Sequence, residues 1–302
     1  MDALPEPARI EEWAPAFRLL FHYLPSEERE RRCVNALHLL QRGELDPQGI
    51  FVLRGPTDLS GALVCLPVAG RSALVWPPAT VEERREVVED SLLRHATKWL
   101  RQRGVKLAQT LLAPEETFLA APLLRNGFSA ITHLGYLRHE LNLPPSSLNH
   151  PTRLKYHPFA DDTLFRQTLR RTYEGTLDCP EVNGVRGIDE VLEGHRTQGA
   201  FDAERWWLVG DGEKPVGVLM MTEMPESGEW ELAYMGVTPE ARRRGIGREM
   251  LLYALCAART NDAPAVTLSV DVRNQPAWDL YRSLGFEVYD RRLVYLAIWR
   301  QG

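Results

Sequence analysis

Val237-Thr238-Pro239-Glu240-Ala241-Arg242-Arg243-Arg244-Gly245-Ile246-Gly247-Arg248-Glu249-Met250-Leu251 is the stretch that decides how this chain is read. An apolar strand pattern, Trp230 to Val237, runs into it, and a helical pattern, Glu249 to Arg259, runs out of it. Between them lies a basic turn punctuated by Gly245 and Gly247. Glycine lets backbone N–H groups approach a ligand closely, and the free N–H groups at a helix start attract anions. The turn is therefore expected to seat a pyrophosphate. It is not a P-loop, because Gly247 is followed by Arg248-Glu249. It is not a dinucleotide fingerprint, because Met250 stands where a third small residue is needed. The plain alternative is an ordinary helix start with solvated arginines.

A second segment extends the pattern. Ala265 to Asp271 reads as a strand, and Asn274-Gln275-Pro276-Ala277-Trp278-Asp279-Leu280-Tyr281-Arg282-Ser283-Leu284-Gly285-Phe286 follows as a helix. Asn274 can cap that helix, Pro276 suits its first turn, and Gly285 can end it. Asn274 and Tyr281 fall on one helix face. Arg-x-x-Gly-x-Gly (Arg242, Gly245, Gly247) followed by strand, Asn and a helix ending Tyr-x-x-x-Gly-Phe resembles the acyl-coenzyme A signature of the GNAT superfamily of N-acyltransferases.

The resemblance implies an α/β (α+β) fold, a mixed, mostly antiparallel twisted sheet flanked by helices. In that family two central strands splay and the coenzyme enters the V; Gly236, inside a strand, suits the bulge that causes the splay. It implies acetyl-CoA as cosubstrate and no metal. The backbone of Met235 and Val237 would hold the pantetheine arm, and Val237 N–H would face the thioester carbonyl. Arg242, Arg243, Arg244, Gly245, Ile246, Gly247 and Arg248 would hold the pyrophosphate, mainly through N–H groups. Asn274 would contact the arm or serve as helix cap alone.

Amide formation from a thioester needs a free amine and a protonated leaving thiolate. A lysine-like amine has a pKa near 10.4, so neutralising it at pH 7 takes about 4 to 5 kcal/mol without help. A carboxylate in a partly apolar cleft can take that proton. The resemblance makes Glu231 the candidate base, since it lies six residues before Val237, where some lysine-modifying members of the family carry theirs, and it reads equally as a solvated strand glutamate. Glu229 is its backup. Tyr281 is the candidate acid, since its reference pKa of about 10 lies near the roughly 8.5 of a thiol.

Composition bounds the rest. The chain has 302 residues, 44% hydrophobic, a net charge of −5 and four scattered cysteines without a Cys-x-x-Cys pair. That length favours two domains, and the cysteines argue against a disulfide framework or zinc site and for a reducing cytoplasm. The opening Met1-Asp2-Ala3-Leu4-Pro5-Glu6-Pro7 is no signal peptide, and no apolar run reaches membrane-spanning length. The acidic balance disfavours nucleic acid as partner.

A weak internal repeat divides the chain. Leu124-Arg125-Asn126-Gly127-Phe128 echoes Ser283-Leu284-Gly285-Phe286, and the elements before each follow the same order. Residues 1–142 are expected to form a first GNAT-like domain, 143–151 a linker, and 152–302 the catalytic domain that binds acyl-CoA. The first half resembles a degenerate GNAT domain. Its turn Trp76-Pro77-Pro78-Ala79-Thr80-Val81-Glu82-Glu83 has no glycine and carries carboxylates, and Leu123 stands where Tyr281 stands in the second half. Tandem arrangements with one working half occur in the mycothiol-synthase-like group. The resemblance places the acceptor between the first two helices of the second half, in the segment 173–186, where Asp178 and Glu181 would suit a cationic amine, small-molecule or peptide, although each residue taken singly reads sooner as solvated loop. The expected function is a cytoplasmic N-acetyltransferase acting by direct attack in a ternary complex. The alternative is a non-catalytic acyl-CoA-binding regulator. Oligomeric state is not legible.

Overall fold

The computed structural model describes residues 4–81, 83, 85–141, 153–161 and 163–300. The expected linker 143–151 and Glu82 lie outside the described residues. The chain forms two compact units, Met1–Ile131 with Leu293–Gly302, and Thr132–Arg292. These cut across the expected boundaries at 142 and 152, because strands take partners by edge pairing and not by chain order.

In the first unit, β1 (Glu6–Pro7), α1 (Trp13–Leu20) and α2 (Ser26–Gln41) precede β2 (Ile50–Arg54), β3 (Leu59–Val68), β4 (Ser72–Val75) and β5 (Ala79–Thr80). Then come α3 (Arg85–Gln102), β6 (Leu107–Leu112) and α4 (Ala120–Arg125). Phe17, Ala36, Ile50 and Val64 fill one sheet face, under α1 and α2. Leu92, Leu93, Leu100 and Leu123 fill the other, under α3 and α4. The end of the last strand, Leu293–Ile298, completes this sheet antiparallel to β6. β4 pairs in parallel with β6 at Ser72, Ala73 and Leu74, nearly its whole length.

The second unit takes in the end of β7 (Ser129–His139), then β8 (Leu154–Pro158), α5 (Thr163–Thr172), α6 (Ile188–Arg196), β9 (Trp206–Asp211) and β10 (Lys214–Glu223). β11 (Trp230–Val237), α7 (Ile246–Thr260), β12 (Val266–Asp271), α8 (Gln275–Ser283) and the start of β13 (Glu287–Ile298) follow. Leu134–His139 of β7 pairs antiparallel with β12, and β8 to β11 form an antiparallel ladder. β10 is buried on both faces: Leu219 and Met221 join the core under α7 and α8, and Val218 and Met220 pack with Phe165, Leu169 and Leu192 of α5 and α6. This mixed, mostly antiparallel sheet between helices is the fold class expected. Among the described residues no helix is long and apolar enough to cross a membrane.

Candidate active site

The β11–β12 pairing opens the site. The two strands pair only at Trp230↔Val266 and Glu231↔Thr267. From Leu232 onward the β12-facing edge of β11 has no strand partner among the described residues, so Met235 and Val237 lie on an open backbone edge. The register of β10 and β11 shifts between Met220↔Tyr234 and Met221↔Leu232, which makes Ala233 the extra residue. The bulge is thus at Ala233 and not, as expected, at Gly236. Gly236 serves close packing instead: a Cβ there would stand 2.6 Å from Tyr234 Oη and 2.7 Å from Thr172 Oγ1, two atoms that share a 2.7 Å hydrogen bond.

The basic turn that follows is a strained nest. Arg243 and Gly245 both adopt left-handed backbone, φ 62° and 80°, and such alternation turns successive N–H groups toward one concavity. The N–H groups of Arg248 and Glu249 return to Gly245 O. Those of Arg243, Arg244, Gly245, Ile246 and Gly247 have no acceptor among the described residues. Free N–H groups at a helix start are what an anion requires.

The arginines divide. Arg242 donates through its guanidinium to the carbonyls of Val237, Gly175, Thr172 and Glu174, and its own N–H reaches Pro239 O. It clamps the end of α5 to the turn, and its side chain is directed at carbonyls and not at a phosphate. Arg244 pairs with Asp211 at 3.1 Å, and Arg248 donates to Ser283 Oγ at 3.2 Å.

Glu231 is partly buried on the α5–α6 side of β11, and burial raises its pKa. It has no ion pair or hydrogen bond among the described residues. Glu229, its backup, is held by Arg138 at 2.8 Å. Tyr281 is 7% exposed on α8, beside Phe286. Burial, and then the charge of Asp178, raises its pKa above the usual phenol value. At neutral pH it holds its proton firmly. Full proton transfer to a thiolate of pKa about 8.5 is uphill from such a phenol.

Asp178 is brought to this centre. Its Oδ1 accepts Asp271 N–H at 3.2 Å, and it also pairs with the Asn274 side chain. Asn274 caps α8 as well, its side chain accepting Ala277 N–H at 3.4 Å. Asp178 reaches solvent at the rim of a recess, yet the protein around it raises its pKa to about 6, with the Asp271 charge adding to burial. Glu181 is not available to an amine: Arg273 Nη1 and Nη2 donate to it at 2.7 and 2.9 Å, and this pairing lowers its pKa.

Asp271 and Arg273 are the parts that the sequence reading missed. Asp271 is fully buried at the end of β12 and accepts from Thr132 Oγ1 at 2.6 Å, Cys179 N and Arg273. Burial alone would raise its pKa; the donors from Arg273 and Thr132 outweigh it and lower it to about 2. The one available signal was a carboxylate ending an apolar strand with arginine two residues on. Asp178, Cys179 and Asp271 present ligand atoms within 4.8 Å of one another. Both Asp271 oxygens are already engaged by Arg273, whose charge opposes a cation. Burial and the two carboxylates raise the Cys179 thiol far above its usual range, so it is no nucleophile.

Among the described residues the first unit shows none of these features. Its segment 76–81 contains no residue with positive φ, β4 and β6 do not diverge, and Leu123 is fully buried.

Known proteins agree with this geometry. Residues 169–286 match the acetyltransferase (GNAT) family. A mycothiol acetyltransferase of Thermobifida fusca is 30% identical over 139 residues, 43% of this chain and 42% of that one. The chain thus spans under half the length of that curated relative. Among solved structures, a GCN5-related N-acetyltransferase from Sphaerobacter thermophilus superposes with a TM-score of 0.60 at 18% identity, covering 99% of this chain and 96% of that one. A tandem GNAT protein from the clavulanic acid biosynthesis pathway gives 0.52 at 16% identity, covering 98% and 97%. The motifs, the diverging strands and the match over residues 169–286 identify a GNAT acetyltransferase segment within the second unit, and the chain as a whole has a fold similar to those of GNAT proteins, a tandem one among them.

Proposed function

We propose that the second unit transfers an acetyl group from acetyl-CoA to a primary amine by direct attack. The observation that carries this reading is the run of open N–H groups from Arg243 to Gly247 at the head of the open β11 edge. Gly247 supports it. A Cβ there would meet only ordinary contacts, Leu280 at 3.6 Å and Val237 at 4.0 Å, so nothing in the protein requires glycine, whereas a closely seated anion does.

Acetyl-CoA supplies a thioester carbonyl; the chain does the rest. The Val237 N–H would polarise that carbonyl. Glu231, its pKa raised by burial, accepts the amine proton directly or through water. Tyr281 donates a hydrogen bond to the departing sulfur. Asp178 sits close enough to Tyr281 to affect its titration, and it holds the cationic amine before attack. Without a phosphate cradle, the first unit is non-catalytic.

The acceptor is a small molecule, and the relatives' name makes a mycothiol-related amine the first to assay. The test is thiol release from acetyl-CoA over a panel of amines, beside calorimetric titration of coenzyme A. One coenzyme site and amine-dependent thiol release are expected. Coenzyme binding with no release from any amine would make the chain a binding protein, and no coenzyme binding would overturn both readings.

A further inference from the structure

The first unit carries an open groove of about 780 Å³ between α3 and the last described residues. Arg94, Lys98 and Arg101 line it from α3. Their spacing, i, i+4 and i+7, puts them on one helix face. At 1.5 Å rise per residue the row is about 10 Å long. Arg300 and the half-buried Trp299, which also packs against the core of this unit, line the groove from the end of the chain.

These four cations have no side-chain partner among the described residues. Other arginines of this unit are matched by carboxylates, among them Arg32 with Glu28 and Glu116, Arg54 with Glu12, and Arg125 with Glu89 and Asp90. The acidic residues of α3, Glu86, Glu89 and Asp90, all precede Arg94. The helix dipole favours cations only in the last turn, so it accounts for Arg101 but not for Arg94 or Arg300. A row of unmatched like charges beside an indole, in a chain of net charge −5, is arranged for an anion that also has a flat face.

We propose that this groove binds a nucleotide-sized phosphate ester, with its phosphates along Arg94, Lys98 and Arg101 and its base against Trp299. Guanidinium and ammonium groups are the usual partners of phosphate oxygens, and an indole stacks on any base. The row spans about 10 Å, which suits a di- or triphosphate. This site is independent of the acyl-transfer reading.

Calorimetry of the full chain carrying Gly247→Asp, which blocks the proposed coenzyme cradle, tests it with ATP, ADP, inorganic pyrophosphate and adenosine as separate probes. ATP and ADP are expected to bind at one site, pyrophosphate more weakly, and adenosine weakest, with affinity falling as salt rises. Coenzyme A in the same titration shows whether its ADP portion is a source of the ligand. The double variant Lys98→Gln/Arg101→Gln should weaken ATP at least about tenfold, with an unchanged melting curve. In a Gly247-containing background it should leave thiol release unchanged. No heat from any phosphate probe at millimolar concentration would overturn the proposal. So would equal affinity in the double variant, or binding of oligothymidine without binding of ATP.

Discussion

Replacing Gly247 by alanine and by aspartate separates the fold of the turn from its charge. Gly247 is not in left-handed backbone, and an added Cβ meets neighbours no closer than 3.6 Å. Alanine should therefore be stable, gaining up to about 1 kcal/mol of helix propensity over glycine. Aspartate near a helix start gains about 0.3 to 1 kcal/mol from the dipole. Neither variant should melt earlier than the parent. Coenzyme binding should move the other way. A carboxylate about 5 Å from a phosphate seated on the N–H groups costs about 3 kcal/mol per unit charge at an effective dielectric near 20. That is about two orders of magnitude in Kd. Alanine, which adds bulk without charge, should weaken binding less. Paired thermal melts and calorimetric titrations with coenzyme A give both quantities. Unchanged coenzyme affinity in the aspartate variant would refute the cradle. A large drop in melting temperature for alanine would show that packing, and not a ligand, holds glycine there.

Other residues carry separable expectations. Glu231 acts as base when ionised, and burial raises its pKa, so kcat/KM should fall as pH drops through that raised value. Glu231→Gln should remove this limb and lower turnover about a hundredfold or more; a surviving acid limb in the variant would assign it to another group. The linkage sign is opposite for stability: a carboxyl raised on folding favours the fold at low pH and loses that contribution as pH rises, so Glu231→Gln should gain stability over the parent at pH 8 and not at pH 4. Tyr281→Phe should lower kcat about a hundredfold with coenzyme Kd retained, and an unchanged single-turnover rate would rule out the donor role. Arg242→Ala releases four carbonyls and should cost about 2 kcal/mol, or roughly 4–8 °C in Tm; Arg242→Lys should not restore it, since one ammonium cannot span them. Gly236→Ala places its Cβ within 2.6 Å of Thr172 and Tyr234 and should cost about 1–3 kcal/mol by overpacking, read as a lower denaturant midpoint.

Local chemistry was legible in the sequence because it is written in consecutive residues. The Arg242–Gly247 turn, the Asn274 cap, the Tyr281 helix face and the strands that lead into the two motifs follow from propensity, capping and alternation over short windows. The absence of glycine from Trp76 to Glu83 is legible in the same way. What only the tertiary structure decided involves partners far apart in the chain. Arg242 reads as a phosphate ligand until the end of α5, some 70 residues earlier, brings its carbonyls alongside. Glu181 reads as a free carboxylate until Arg273, 92 residues away, closes on it. Asp271 was silent because its partners are Thr132, 139 residues distant, and the N–H of Cys179. The bulge went to Ala233 and not to Gly236 because register is set by the strand opposite, which a single strand's sequence does not contain. The exchange of end segments between the two units has the same cause. An edge strand pairs with whichever edge packing leaves open, and burial and edge pairing are properties of the assembled sheet rather than of any segment within it.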